Sequence, residues 1–126
     1  MADPIKIIIA DDDQHNRLML KHLLSTLDLE IIAEAQNGKE AVELYQQHQP
    51  DILLLDIMMP EMNGNEALTI IQKQYPDSLI IMLTSMDDME TVQNCIDAGA
   101  SSYILKSSPL REIKEIIMET WSSRHD

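Results

Sequence analysis

Apolar residues fall along this chain in short solid blocks separated by stretches of helical period. The blocks over residues 5–10, 51–56 and 79–83 are runs of Ile, Leu and Met with hardly a polar interruption. Such runs are too short for a buried helix and too continuous for a strand wetted on one face, so they predict strands covered on both faces of a parallel sheet. Residues 29–35 are more polar at Glu30 and Glu34, which suits a strand near the sheet edge. A short block over 102–105 predicts a last strand. Between the blocks, apolar residues recur every three or four positions: Leu20, Leu23, Leu24 and Leu27, then Ala41, Leu44, Tyr45 and His48, then Ile113, Ile116, Ile117, Thr120 and Trp121. That period predicts amphipathic helices. Two more helices are predicted from Asn63-Gly64 to about Tyr75 and over 87–98.

The breaks between elements carry turn chemistry. Asp13 is placed to cap the first helix, Gln36-Asn37-Gly38 turns the chain, Asn63-Gly64 permits a positive backbone angle, Gly99 closes a helix and Pro109 opens the last one. Five strands alternating with five helices predict a single α/β domain over residues 1–126, a parallel sheet with helices on both faces.

Composition narrows the function. A net charge of -13 repels phosphate backbones and anionic membranes, so direct nucleic-acid or membrane binding is not expected of this chain. No apolar run reaches the length of a membrane span and the start lacks a basic signal-peptide region, which leads to an expectation of a cytoplasmic protein. The one cysteine, Cys95, cannot form an internal disulfide and reads as a small core thiol. His48, at a helix end, reads as a favourable C-terminal charge rather than a ligand.

Candidate chemistry lies at the strand ends. The first strand runs into Asp11-Asp12-Asp13, the third ends in Asp56, the fourth in Thr84-Ser85, and Lys106 follows the fifth. Right-handed crossovers make the strands parallel, so these ends gather on one edge of the sheet, where open α/β folds bind ligands. Each residue alone has an ordinary reading: a turn carboxylate at Asp11, Asp12 or Asp56, a helix-capping hydroxyl at Thr84. Together they place several carboxylates beside one lysine, an excess of negative charge that a hard divalent cation relieves. Magnesium suits such a site, because it takes one or two carboxylates and shares its remaining shell with water and phosphate oxygens. A carboxylate can also attack phosphorus to give an acyl phosphate. Lys106 would then pair first with Asp56 and afterwards with a phosphoryl oxygen, and Thr84 could donate its hydroxyl to another.

Asp11-Asp12, Asp56 with the Met-Met-Pro-Glu-Met-Asn-Gly that follows Ile57, Thr84, Tyr103 and Lys106 together resemble the receiver domain of bacterial two-component response regulators, the CheY-like superfamily. The resemblance runs in order from Ile5 to about Trp121. It implies a flavodoxin-like (βα)5 three-layer sandwich with strand order 2-1-3-4-5. It further implies Asp56 as phosphoacceptor, with Thr84 and Lys106 assisting. Magnesium would be held by Asp12, Asp56 and the main-chain carbonyl of Met58, with Asp11 acting through water or supporting the site. Thr84 and Tyr103 would form a switch pair that re-shapes the face of the fourth helix, fifth strand and fifth helix. The implied protein is a phosphorylation switch and not an enzyme. Its donor is a sensor histidine kinase or a histidine phosphotransfer protein. Its target is a downstream protein or output domain, and an activation-dependent homodimer is left open. The chain could equally be the input domain of a longer transcription regulator or enzyme.

Departures from the family pattern sharpen the expectation. Proline stands three residues after Lys106 instead of directly after it, so no cis bond is expected at Lys106-Ser107. Lys-Ser-Ser-Pro is closer to receivers of helix-turn-helix regulators than to the winged-helix group. Met58 and Met86 lie two residues beyond Asp56 and Thr84, where polar residues tend to speed hydrolysis, and predict a long-lived phosphoryl group. A flavodoxin is disfavoured because Asp11-Asp12-Asp13 would repel the flavin phosphate. A phosphatase resembling the haloacid dehalogenase group would need an acid where Met58 stands.

Overall fold

The computed structural model describes residues 3–85 and 89–125. β1 (Ile5–Ala10), α1 (Gln14–Leu24), β2 (Leu29–Ala35), α2 (Gly38–His48), β3 (Ile52–Asp56), α3 (Gly64–Gln74), β4 (Ile80–Thr84), α4 (Met89–Asp97), β5 (Ser102–Leu105) and α5 (Leu110–His125) alternate along the chain. All pairings are parallel and the order is β2-β1-β3-β4-β5. This is the predicted flavodoxin-like sheet, with the more polar β2 at one edge.

Strand alternation sorts the core into two layers. Ile7, Ile9, Leu54, Ile81, Leu83 and Ile104 face α1 and α5, meeting Leu20, Leu23, Leu24, Ile113 and Ile117. Ile8, Ala10, Leu53, Leu55, Ile80 and Met82 face the other way, toward Ala41 and Tyr45 of α2, Leu68 and Ile71 of α3 and Cys95 of α4. β1, β3 and β4 are buried on both faces, as their solid apolar runs predict. The register pairs Ala10 with Leu55, Asp56 with Leu83, and Thr84 with Leu105. The carboxyl ends of four strands therefore stop at one level, and that level carries the chemistry.

Local details refine the predicted elements. Asp13 caps α1, accepting from the His15 amide at 2.8 Å. Leu27 lies past the end of α1 and is only half-buried, while Arg17 takes a buried place one turn before Leu20. His48 closes α2 and is exposed, and the buried residues of the helix are Gly38, Ala41, Val42 and Tyr45. Pro109 immediately precedes α5, its carbonyl accepting from the Ile113 amide at 3.1 Å. α4 is described from Met89, and the predicted start at Asp87, like Met86, lies outside the described residues. No cis peptide bond occurs among the described residues. Cys95 is a buried free thiol, its pKa raised by burial, as a core role requires.

The expectation of a positive backbone angle at Asn63-Gly64 is corrected. Asn63 is extended (φ -76°) and caps α3 by accepting from the Glu66 amide at 2.9 Å; the positive angle falls on Glu61 (φ 65°). Gly64 is required for space instead, since a Cβ there would overlap the Asp56 main-chain carbonyl. Its amide donates to the Ile57 carbonyl at 2.8 Å, so the start of α3 presses directly against the end of β3. Gly64→Ala is expected to cost about 1–3 kcal/mol, the usual penalty for overpacking against backbone, read as a lower denaturant midpoint with an unchanged m-value.

Candidate functional site

The turn after β1 begins with Asp11, whose amide donates to the Ala35 carbonyl at 3.0 Å and extends the β1–β2 pairing by one residue. Its Oδ1 accepts from the Asp13 amide at 2.9 Å. Asp11 is fully buried, whereas Asp12 beside it is exposed. Asp56 ends β3 with 3% exposure, and its Oδ1 faces the Met58 amide at 3.3 Å. Lys106, in the turn after β5, reaches back across the strand ends, its amide bound to the Thr84 carbonyl at 2.8 Å. The Lys106 ammonium donates to Asp56 Oδ2 at 2.8 Å and lies 3.0 Å from Asp11 Oδ2. The second contact is an ion pair by distance without hydrogen-bond geometry. Asp11 Oδ2 is thus a fully buried carboxylate oxygen with no donor.

These contacts set the electrostatics. Burial pushes the Asp56 pKa up to about 6; the hydrogen bond and charge of Lys106 pull it down, and the Asp11 charge adds to the rise. Burial works against the Lys106 charge, but the hydrogen bond to Asp56 and the charges of Asp56 and Asp11 prevail and raise its pKa. Asp56 is therefore largely ionised at neutral pH and held beside a cation. Asp11, Asp12 and Asp56 each offer one oxygen, and the three oxygens lie within 4.8 Å of one another. Three hard carboxylate donors, one of them an oxygen without a hydrogen-bond donor, fit a magnesium ion with its retained waters.

The structure thus brings together Asp11, Asp12, Asp56 and Lys106. Thr84 is buried at the end of β4, next to the β3 end that carries Asp56. Met58 turns its side chain outward, 62% exposed, and offers the cluster its main chain. Tyr103 stands on β5 outside the cluster, half-buried against the layer of α2, α3 and α4.

Arg17 was not legible as a site neighbour. Its guanidinium donates from Nη1 to the Asp11 carbonyl at 2.7 Å and from Nε to Glu34 Oε1 at 3.0 Å, and Lys21 pairs with Glu34 Oε2 at 2.9 Å. The hydrogen bond from Lys21 is the main cause of a lowered Glu34 pKa, with Arg17 adding to it against burial. The available signal was a polar residue, Glu34, in an apolar strand beside a helix with two cations at four-residue spacing.

The family model for the response regulator receiver domain matches residues 7–118. The chain belongs to this family. The receiver is 39% identical over 115 residues to the chemotaxis protein CheY of Bacillus subtilis, covering 91% of this chain and 96% of that one. It is 35% identical over 121 residues to the response regulator protein VraR of Staphylococcus saprophyticus, covering 95% of this chain but only 58% of VraR. Among solved structures, the CheX–CheY–BeF3–Mg complex from Borrelia burgdorferi superposes with a TM-score of 0.90 at 28% identity, over 94% of the receiver and 90% of that chain. No helix among the described residues is long and apolar enough to cross a membrane.

A carboxylate whose native pKa is raised destabilises the fold once it ionises. The Asp56 penalty is absent below its unfolded value near 4, grows between about 4 and 6 where the unfolded group is ionised and the native group still holds its proton, and is constant above. Asp56→Asn removes the charge while Lys106 keeps Asp11 beside it. In metal-free buffer the variant is expected to melt several degrees above the native protein at pH 7.5 and to converge with it near pH 4. Thermal melts across that range check the sign.

Proposed function

We propose that this receiver is a phosphorylation switch in which Asp56 accepts a phosphoryl group from a phosphohistidine. One observation carries the reading: a buried carboxylate at the end of the central strand is paired with Lys106 inside a group of three acids. In the transfer, an Asp56 carboxylate oxygen forms the new P–O bond as the P–N bond of the donor breaks. The electron pair leaves on the imidazole nitrogen. Lys106 passes from Asp56 to a phosphoryl oxygen, and the Thr84 hydroxyl donates to another. Asp12, Asp56 and the Met58 main-chain carbonyl would hold magnesium, with Asp11 supporting the set directly or through water. Bound there, the ion offsets the repulsion between the incoming phosphoryl oxygens and the carboxylates. Later attack of water on phosphorus returns the Asp56 carboxylate and free phosphate.

The output follows from strand alternation. Met82 and Thr84, two apart on β4, share a face, and Met82 lies in the layer of α2, α3 and α4. Tyr103 pairs with Met82 in register and packs against that same layer. Movement of Thr84 toward the phosphoryl group frees space on the side where Tyr103 can turn, re-shaping the face of α4, β5 and α5. The upstream partner is a sensor histidine kinase or a histidine phosphotransfer protein, and the downstream partner is a separate protein or an output domain. CheY, matched over 96% of its length, is a relative of receiver size, in keeping with a separate downstream protein as partner. The match to 58% of VraR supports a second reading, the input part of a longer regulator.

Incubation with magnesium and acetyl phosphate is expected to add one phosphoryl group, seen by intact mass, and to add none in Asp56→Asn or without metal. Labelling that survives the Asp56→Asn change would overturn the assignment. Met58 adds a second expectation, because its amide lies against the Asp56 carboxylate while its exposed thioether neither orients nor activates water. Met58→Asn is expected to shorten the phosphoryl lifetime several-fold, on the order of the 1 kcal/mol that one hydrogen bond contributes. Equal decay of the two proteins, followed by phosphate release, removes Met58 from the account.

A further inference from the structure

We infer that Arg17 is a positioning residue for the metal-binding acids, acting through the main chain of Asp11; the inference rests on the phosphoacceptor reading above. A buried arginine is costly unless its donors are matched, and Arg17 is only 8% exposed. Its partners explain the burial. Nη1 donates to the Asp11 carbonyl at 2.7 Å, and Nε donates to Glu34 of β2 at 3.0 Å. Glu34 is oriented in turn by Lys21 at 2.9 Å.

The consequence lies in which atom of Asp11 is held. The Asp11 amide is fixed by the Ala35 carbonyl, its Oδ1 by the Asp13 amide and its carbonyl by Arg17, which leaves Oδ2 aimed into the site, where it faces the Lys106 ammonium at 3.0 Å. The Asp11 carbonyl also belongs to the peptide unit joined to Asp12. A force on that oxygen therefore sets the direction in which Asp12 leaves the strand. Arg17 thus fixes the plane from which two of the three acids project, while its own charge stays outside the cluster. Partners of this kind, one bond removed from the ligands, commonly alter metal affinity about ten-fold or more when lost.

Charge and geometry predict opposite signs, which makes the inference testable. If Arg17 acted only as a nearby positive charge, removing it would tighten the binding of a cation. If it positions the acids, removing it loosens binding. Magnesium titrations of the full chain, followed by the amide shifts of Asp12 and Met58, would give the dissociation constants of the native protein, Arg17→Gln and Arg17→Lys. Ile117→Val, on α5 in the α1–α5 core layer and outside the Arg17 hydrogen bonds, serves as a control for lost stability, with melting in EDTA recorded for all.

Arg17→Gln is expected to weaken magnesium binding about ten-fold, with Arg17→Lys between it and the native protein and Ile117→Val unchanged. An unchanged or tighter constant in Arg17→Gln overturns the inference. Should that variant not fold, an unchanged constant in Arg17→Lys does so. Failure of the native protein to bind magnesium overturns instead the reading on which the inference stands.

Discussion

Burying two carboxylates side by side is unfavourable, and one lysine does not neutralise both. The structure depends on that imbalance. Asp11 and Asp56 come from adjacent central strands, so the parallel sheet leaves them no way to separate, and Lys106 is drawn 50 residues back along the chain to lie between them. Asp12 adds a third negative charge at the rim. Burial raises the pKa of Asp56, the Asp11 charge adds to the rise, and a single ammonium faces both carboxylates. A fold seeking only stability would have replaced this group with apolar side chains, as buried ion pairs often allow. Its retention at the strand ends is what directs attention to chemistry there.

The rest of the molecule holds these charges in place. The apolar strands supply a floor that does not yield, because β1, β3 and β4 are packed on both faces. The loops that leave the floor are tied back to it. Gly64 presses against the Asp56 carbonyl, the Gly38 amide donates to the Met62 carbonyl at 2.8 Å, and the Lys106 amide is fixed on Thr84. The acids and the lysine are thus positioned by main-chain bonds from both neighbours of β3, and their approach does not rely on long side chains finding one another.

Much of this was legible in the sequence, for physical reasons. Solid apolar runs of five or six residues have few structural solutions, and once the strands are parallel their ends must share an edge. On that ground Asp11, Asp12, Asp56, Thr84 and Lys106 gather at one edge, and the structure brings Asp11, Asp12, Asp56 and Lys106 into one cluster. What the sequence alone did not show depended on tertiary partners. Arg17 sits on a helix where an arginine ordinarily faces solvent, and its burial follows from the carbonyl and carboxylate that meet it. The Asn63-Gly64 pair advertises freedom of φ, whereas the approach of the Asp56 carbonyl that actually requires Gly64 leaves no mark in the spacing. Leu27 and His48 fit the helical period but miss the core, since a period does not say where a helix ends.

The proposed modification fits the same deficit. A phosphoryl group brings roughly one and a half to two further negative charges, yet Lys106 is the cation already committed to Asp56 and Asp11. Transfer therefore obliges Lys106 to choose, and any donor at a neighbouring strand end becomes valuable. Thr84 is the nearest candidate by topology, because β4 lies beside β3 and ends at the same level. Its face of the sheet is that of Met82 and, across the β4–β5 register, Tyr103. The edge strand β5 has no further strand to hold it, so a rearrangement entering there meets less resistance than one entering the packed centre. In the proposed switch, charge imbalance at the acids, relieved through one hydroxyl on β4, would reach the α4–β5–α5 surface by this path.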